Sequence, residues 1–337
     1  MSYLGVDLHP TRFTVCYRTV HGKERVASYG TDRMEAFRKT LRRRDKVAVE
    51  ATGNTAWFIE QIRHRVRKVI AVDPNQFAVI RKSVKKTDPH DAKALAFFLS
   101  KDMLPEARMK EKTHTQLHSL AATRDKLVKQ RTALVNKIHN VLNRHGLKWK
   151  KETLTTEKGL REVMTFDWDP IVRVELEVLT EQIRSLSQSI KRLDSDLSEH
   201  GQGLKGHANL RSIKGIGDRS ATVLLSVIGN VKDFASEDKL AAYFGIVPRV
   251  RDSNETVRHG RITKHGSTLA RTTLVQCTLC AKRYSPYLRR YYERIKRSRG
   301  SGKAIIATAR KLLGIIYKTL THDWIFEDFP SFTIANT

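Results

Sequence analysis

Four acidic residues have the type and spacing of metal ligands. Asp7 and Glu50 each come at the end of a short apolar segment, and Asp88 and Asp91 lie three residues apart. That spacing puts the last two on one face of a helix. Hard cations such as Mg²⁺ take carboxylate oxygens, and a pair of such ions about 4 Å apart stabilises both oxygens of a phosphodiester displacement. The four acids therefore predict a metal site for phosphodiester chemistry.

Helix capping is the alternative explanation for two of these acids. Asp88 precedes Pro89, and Asp91 follows three positions later, which is a typical helix N-terminus. Capping does not explain Asp7 in an apolar strand, nor four acids in this order. We therefore expect Asp7, Glu50, Asp88 and Asp91 to be catalytic ligands of Mg²⁺, with Mn²⁺ as a substitute.

The elements that must position the acids are predicted by the periodicity of the first hundred residues. Three short strands are followed by alternating helices and strands, which is the order of a ribonuclease H-like α/β fold. Each strand acid comes at the C-terminal end of its strand, where α/β sheets place their sites. The predicted strands are 3–8, 13–18, 24–29, 46–51 and 68–72, and the predicted helices are 33–43, 55–66, 74–84 and 88–100.

The charge of the chain indicates a polyanionic partner. Its 337 residues include 63 Lys and Arg against 35 Asp and Glu, a formal net charge of +28. The basic residues cluster, which favours nucleic acid over a merely soluble surface. The sequence has no long apolar run and no basic-then-apolar start, so we expect no membrane partner and a cytoplasmic, nucleoid-associated protein of a prokaryote.

The three cysteines give little support to a zinc site. Cys277 and Cys280 have the spacing of half a structural site, but no second pair follows them. We expect these two to be core residues of a helix. With Cys16 the chain has three cysteines in all, and a reducing compartment fits this small number.

The middle of the chain, 105–203, has two long amphipathic segments. Apolar residues of 172–197 alternate spacings of three and four without a break, whereas Arg124 and Arg131 interrupt the same pattern in 117–142. The pair predicts an antiparallel helical hairpin or an intermolecular coiled coil. A simple spacer is the alternative. We expect oligomerisation rather than a spacer.

The last part, 204–337, is predicted to be mainly α-helical and contains several candidates for nucleic-acid contact. Gly215 and Gly217 resemble a helix-hairpin-helix turn, whose glycines let the backbone approach a phosphate; an ordinary glycine turn is the alternative. Tyrosines alternate with basic residues in 282–303, which suits charge neutralisation with ring stacking. The basic candidates are Arg249, Arg251, Arg258, Lys264, Arg289 and Arg290.

Two serines are candidate nucleophiles in the basic stretch 249–266 and directly after it. Ser253 lies in what the composition predicts to be a flexible loop, and its residue type alone does not distinguish it from other loop serines. Ser267 follows Gly266 and opens an apolar helix, so helix capping accounts for it.

These motifs together resemble the DEDD transposases of insertion sequences, which are related to Piv-type DNA invertases. The resemblance is nearly full length, and its motifs occur in order. They are Gly5-Val6-Asp7, Val49-Glu50-Ala51-Thr52-Gly53, Lys86-Thr87-Asp88-Pro89-His90-Asp91-Ala92, Ile213-Lys214-Gly215-Ile216-Gly217 and Ala242-Tyr243-Phe244-Gly245-Ile246-Val247-Pro248-Arg249.

The resemblance implies an organisation and a mechanism. It implies a RuvC-like catalytic domain at 1–104, a coiled-coil oligomerisation segment at 105–203 and a transposase domain at 204–337. The four RuvC acids fall on the four acids named above, and the serine that forms a covalent phosphoserine link to DNA falls on Ser253. The implied partners are donor and target double-stranded DNA, a non-coding bridge RNA, and further copies of the chain, as a dimer and as a tetramer with composite sites. Many members have glycine after the serine, whereas this chain has Asn254.

Two other functions fit the same residues. A hydrolytic RuvC-like nuclease on branched DNA would use the acids without Ser253 and would release free ends. A non-catalytic nucleic-acid-binding protein would not need Asp7. The complete set of four acids argues against the second alternative.

Overall fold

The computed structural model describes residues 1–73, 77, 87–253 and 256–326, with the backbone alone at 250–253 and 256–259. The chain forms two compact units, Met1–Met109 and Lys110–Thr337. The helix predicted at 74–84 lies outside the described residues, apart from Phe77. Within the described residues, no helix combines the length and the apolarity needed to cross a membrane.

The first unit contains a five-stranded mixed sheet in the order β3-β2-β1-β4-β5. The first three strands form an antiparallel meander, and β4 and β5 run parallel to β1. This mixed α/β architecture agrees with the sequence prediction and is consistent with a DEDD nuclease-like domain. The strands are β1 (Ser2–Leu8), β2 (Arg12–Thr19), β3 (Glu24–Gly30), β4 (Lys46–Glu50) and β5 (Lys68–Val72); the helices are α1 (Met34–Arg38), α2 (Thr55–Ile62) and α3 (Asp88–Ser100).

The two faces of the sheet bury different side chains, because successive residues of a strand point to opposite sides. Val6 and Val49 pack on one face with Phe58 of α2. On the other face, Ala48 packs with Leu95 of α3. The polar ends of β1 and β4 that lie on this second face are therefore next to α3.

Helix α1 is shorter than the sequence predicts, since it ends at Arg38 and not near residue 43. The carboxylate of Asp45 accepts hydrogen bonds from the backbone N–H of Arg42 at 3.0 Å and of Ser2 at 2.7 Å. These contacts hold the connection to β4 in a turn.

The second unit begins with a helical hairpin formed by α4 (Lys112–Arg144) and α6 (Pro170–Gln202). Arg124 contacts Asp194, while Lys137, further along α4, contacts Glu175, nearer the start of α6. The two helices are therefore antiparallel, as one of the two sequence interpretations requires. A short helix, α5 (Glu157–Met164), lies in the connection that the sequence predicts to be irregular.

The rest of the second unit is mostly helical and surrounds a core that includes Leu224, Phe244 and Leu312. Cys277 is buried there, as expected, but Cys280 is exposed, so its assignment to the core is wrong. The elements are α7 (His207–Ser212), α8 (Asp218–Ile228), α9 (Glu237–Tyr243), β6 (Pro248–Ser253), β7 (Thr256–Ile262), α10 (Thr268–Tyr284) and α11 (Pro286–Thr321), the last interrupted by non-helical backbone at Gly300.

Candidate active site

The sheet register places two of the predicted ligands side by side. In the parallel pair β1 and β4, Val6 is opposite Val49, so Asp7 and Glu50 are the next residues of adjacent strands. Neighbouring strands lie about 4.8 Å apart, and residues at equivalent positions point to the same face. Asp7 and Glu50 therefore lie side by side at the C-terminal ends of β1 and β4, on the face of the sheet that α3 covers.

Helix α3 packs directly against β1, and a glycine makes this approach possible. A Cβ atom on Gly5 would lie 2.1 Å from the carbonyl oxygen of Ala92 and 2.4 Å from the backbone nitrogen of Ala96. Asp88 is the first residue of α3, and Asp91 is one turn further and only 6% exposed. The close contact brings the start of α3 next to the end of β1.

Three side chains converge at this point. His9 Nε2 lies 3.4 Å from Asp7 Oδ2 and 3.5 Å from Asp88 Oδ1. One potential ligand atom from each of these three residues lies within 4.8 Å of the other two. Arg12 Nη2 also donates to Asp88 Oδ2 at 3.2 Å. No sequence motif marks Arg12. It lies beside the acids because it is at the start of β2, which runs antiparallel to β1.

The electrostatics of the cluster favour a bound cation. Burial raises the pKa of Asp7; the nearby His9 opposes this shift, and the carboxylates of Asp88 and Asp91 add to it. Like charges held this close disfavour full ionisation, and a divalent cation relieves that repulsion. The residues therefore fit a hard metal ion with carboxylate ligands, and the acidic cluster agrees with the divalent metal use that the sequence predicts.

Ser253 belongs to the second unit, and its backbone is strand and not flexible loop. It is the last residue of β6, and the register pairs it with Thr256 of β7. The two strands form an antiparallel β-ribbon with Ser253 at its tip, and Arg251 and Arg258 are partners across it. Asn254 lies outside the described residues. The sequence prediction of a loop is therefore wrong for the segment up to Ser253.

The rival serine has a structural role. Ser267 Oγ accepts a hydrogen bond from the Ala270 N–H at 3.2 Å and so caps α10, which confirms the predicted cap. Its hydroxyl also lies 3.2 Å from His118 Nε2. Burial, followed by the charge of Lys110, lowers the pKa of His118.

The predicted glycine turn between α7 and α8 is present, and packing explains one of its glycines. Gly215 has φ +110°, and a Cβ on it would lie 2.6 Å from the backbone nitrogen of Ala281. Gly217 precedes α8 as its N-cap and has open space where a Cβ would lie. Phosphate contact at Gly217 stays a prediction.

The other predicted basic residues are spread over the second unit. Arg249 and Lys264 are exposed near the base of the β-ribbon. Arg289 donates to the carbonyl oxygens of Lys282 and Arg283 at 3.3 and 2.6 Å, and Arg290 is exposed on α11. Their contact with nucleic acid stays a prediction.

Comparison with known proteins gives two family matches and several relatives. A DEDD transposase model of the IS110 type matches residues 4–146, and a model described as "Transposase IS116/IS110/IS902 family" matches residues 207–293. A "Probable family 20 transposase" of Pseudomonas aeruginosa is 26% identical over 96% of this chain and 98% of its own length. The "Transposase for insertion sequence element IS1111A" of Coxiella burnetii is 27% identical over 70% of this chain and 67% of its own.

A relative of a second kind aligns over nearly the whole chain. The "Pilin gene-inverting protein" of Moraxella lacunata is 25% identical over 97% of this chain and 98% of its own length. The first family model spans the acidic cluster and continues into the second unit, and the other family model spans Ser253. Both the transposases and the gene-inverting protein agree with the sequence resemblance. The chain belongs to the IS110/IS116/IS902 family of insertion-sequence transposases.

Proposed function

We propose that this transposase cuts and rejoins DNA through a covalent serine–DNA intermediate, with Mg²⁺ held by Asp7, Glu50, Asp88 and Asp91. The observation that supports this proposal most is that the acids lie together where the C-terminal ends of β1 and β4 meet the start of α3. His9 Nε2 lies 3.4 Å from an oxygen of Asp7 and 3.5 Å from an oxygen of Asp88, and Asp91 is in the first helical turn with Asp88. The register of β4 against β1 places Glu50 next to Asp7.

The metal, when bound, supplies positive charge to the scissile phosphate and its leaving oxygen. The chain's own residues orient the ligands. His9 bridges Asp7 and Asp88, and Arg12 fixes the second oxygen of Asp88. These contacts limit the rotation of both carboxylates, which matters because ligands must be held in place before the substrate arrives.

Ser253 is the proposed nucleophile. Its Oγ–phosphorus bond forms as the phosphorus–oxygen bond of the DNA backbone breaks, and the leaving DNA oxygen becomes a hydroxyl. Rejoining is the reverse reaction with a second DNA hydroxyl, so the phosphodiester energy is conserved in the phosphoserine. A serine hydroxyl needs activation to attack, and the acidic site is the proposed source of it, from the same or another subunit.

The proposed active form is a homo-oligomer, a dimer that pairs into a tetramer when donor and target DNA are bound. An exposed apolar stripe on α6 supports oligomerisation. Ile171, Val174 and Val178 are 86%, 60% and 54% exposed, and their spacing puts them on one face of the helix. Exposed apolar side chains in contiguous patches mark interaction surfaces.

A bridge RNA that pairs with donor and target DNA is the proposed source of sequence specificity. The net charge of +28 supports binding of a second polyanion in addition to DNA. Sequencing of the nucleic acid that copurifies with the protein tests this point. We expect one structured non-coding RNA, and a random mixture of cellular RNA would exclude guidance.

Adduct trapping tests the proposed chemistry. The wild-type protein with Mg²⁺, copurified RNA and labelled donor DNA is expected to give a protein–DNA adduct that survives denaturation. Ser253→Ala should abolish the adduct, since no other residue replaces the nucleophile. Asp7→Asn should also reduce it by about 100-fold or more, because removal of one charge-stabilising group commonly has that effect.

The control variant for this test is Ser267→Ala, which removes the capping serine and should leave the adduct intact. An adduct that persists in Ser253→Ala would exclude Ser253 as the nucleophile. Cleavage to free ends without any adduct would identify the chain as a hydrolytic nuclease.

A further inference from the structure

The longest helix of the second unit is sharply bent. Lys311 Nζ lies 6.0 Å from the ring centre of Tyr291, although the two residues are 20 positions apart in α11. A straight helix would separate them by about 30 Å. The backbone of Gly300, at φ +78° and ψ 165°, breaks the helix between them. The helix therefore bends sharply at Gly300, and the bend brings the side chains of Tyr291 and Lys311 together.

A groove lies between the two segments of α11, the base of the β-ribbon and the start of α9. Its volume is about 1380 Å³, larger than the ~300–1,000 Å³ of ordinary small-molecule sites. The helical residues that line it recur in pairs every four positions from Arg294 to Thr319, so each of the two segments turns one face toward the groove. Its size and length fit a segment of a polymer.

The charge of this C-terminal groove selects a polyanion. Eight lysines and arginines line it, against two acids, Glu237 and Asp238. Among the residues that the structure describes, these acids pair with Lys318 and Arg310, at 3.8 and 2.7 Å. Within that part of the chain, the remaining six basic residues have no ion pair. They are Arg261, Lys264, Arg294, Arg299, Lys303 and Lys311.

The groove also offers flat rings and apolar surface. Trp324 is 54% exposed and stacks on His322, with ring centres 4.5 Å apart and planes at 19°. Tyr291 lies between Arg294 and Lys311, at 5.4 and 6.0 Å from its ring centre. An exposed indole supported by a neighbouring ring offers a flat stacking surface, and unpaired bases are ligands that combine ring faces with phosphates.

We propose that the C-terminal groove binds an unpaired nucleic-acid strand, with phosphates on its lysines and arginines and a base stacked on Trp324. Duplex is disfavoured, because paired bases expose no ring faces to Trp324 and Tyr291. The base of the β-ribbon lines the groove at Pro248 and Ile262. Ser253 lies five residues along β6, about 17 Å away at the rise of a strand. Binding rests on the groove alone, and only this relation to Ser253 rests on the proposed function.

Fluorescence anisotropy with the full-length protein tests the proposal. The probes are labelled oligonucleotides of roughly 12 nucleotides, within the usual site size of single-strand binders. They are a DNA strand, an RNA strand of the same sequence, and the corresponding DNA duplex, each titrated at several salt concentrations. Tighter binding of the DNA or of the RNA strand identifies the natural ligand, and each of these outcomes supports the groove.

The first variant pair removes charge from the groove. Lys303→Ala with Lys311→Ala should weaken single-strand binding about 10-fold at 0.1 M salt. It should also lower the slope of log affinity against log salt by about 1.4, since each phosphate contact on a single strand contributes about 0.7. Lys205→Ala with Lys232→Ala is the matched control, because both lysines are exposed and neither lines the groove. Equal effects of the two pairs would overturn the proposal.

The second variant separates stacking from charge. Trp324→Ala should weaken single-strand binding at least about fivefold and leave duplex binding and the salt slope unchanged, because base stacking is worth about 1–3 kcal/mol. Circular dichroism confirms that each variant is folded. A duplex that binds as tightly as the strand, with no effect of Trp324→Ala, would overturn the proposal. Ser253→Ala should leave binding unchanged, so failure of the groove and failure of the catalytic proposal are distinguishable.

Discussion

At the scale of single residues, the candidate site depends on a residue without a side chain. Gly5 lets the backbone of α3 contact β1, with Ala92 and Ala96 where a Cβ would lie. Those two residues belong to the same helix as Asp88 and Asp91. The distance between the acids of the strand and the acids of the helix is therefore set at Gly5.

Gly5→Ala tests this dependence. The added methyl group must push α3 away from the sheet, and overpacking of this kind costs about 1–3 kcal/mol of unfolding free energy. We also expect weaker Mn²⁺ binding, because the helix moves together with Asp88 and Asp91. Urea unfolding and calorimetric titration with Mn²⁺ measure the two effects.

Gly53→Ala is the control for this substitution. Gly53 is in the loop that follows β4, and nothing lies within 4 Å of a Cβ added there. Its unfolding free energy should change by less than about 0.5 kcal/mol. Equal stability of the two variants would show that α3 tolerates the displacement.

The site residues that could be predicted from the sequence are those whose neighbours along the chain explain their position. Asp7 interrupts an apolar strand, and Ser267 precedes an apolar helix, so each is visible in the sequence alone. The contact of Arg12 with Asp88 joins residues 76 positions apart and exists only once the sheet is formed. The cost of a Cβ at Gly5 likewise depends on a helix almost ninety residues later.

At the scale of elements, the helical hairpin explains the two arginines that interrupt the apolar pattern of α4. Arg124 makes two hydrogen bonds to Asp194 of α6, at 2.9 and 3.0 Å, and Arg131 donates to Ser187 Oγ at 3.2 Å. Both partners are on the facing helix. The irregular positions of the pattern are thus interhelical polar contacts, which fix the alignment of α4 against α6.

Arg124→Ala tests the strength of this contact. The side chain is only 18% exposed, and a paired carboxylate left behind at this interface loses its two charge-assisted hydrogen bonds. We expect a loss of about 1–3 kcal/mol in unfolding free energy, measured by urea denaturation followed through helical circular dichroism.

Arg192→Ala is the matched control, because Arg192 is exposed on α6. Its expected effect is below about 0.5 kcal/mol. A double variant with Asp194→Ala should then cost little more than Arg124→Ala alone. Additive losses in the double variant would mean that the two side chains do not interact.

Two elements differ from the sequence prediction for physical reasons. The β-ribbon at Pro248–Ser253 and Thr256–Ile262 contains few apolar residues, and its arginines hide the alternation typical of strands. The bend in α11 is a feature that the sequence analysis did not predict. It depends on the backbone of Gly300, whose positive φ bends the helix that lines the groove.

At the scale of the whole molecule, the contacts within the chain divide it into two compact units after Met109. The resemblance implies a first domain that ends at residue 104, and the first compact unit of the structure extends to Met109. The added residues contact the edge of β5. The Ala107 N–H donates to the Ala71 carbonyl at 2.6 Å, Val72 and Glu106 form an isolated bridge, and Lys68 Nζ lies 3.0 Å from a Glu106 carboxylate oxygen.

These contacts predict different stabilities for two fragments of the chain. Fragment 1–109 retains the segment that covers the β5 edge, and fragment 1–104 lacks it. The loss of two backbone contacts should lower the unfolding free energy by about 1–3 kcal/mol, and the uncovered edge strand should increase aggregation. Urea unfolding and light scattering on both fragments measure these effects.

The control for the fragments is 1–109 with Glu106→Ala, which removes the contact with Lys68 but keeps the backbone pairing with Ala71. Both of these side chains are about half exposed, so their ion pair should contribute less than about 1 kcal/mol. If the control fragment loses as much stability as fragment 1–104, side-chain charge rather than strand pairing protects the edge. If fragments 1–104 and 1–109 are equally stable, the first unit ends at residue 104, as the resemblance implies, and residues 105–109 contribute nothing to its sheet.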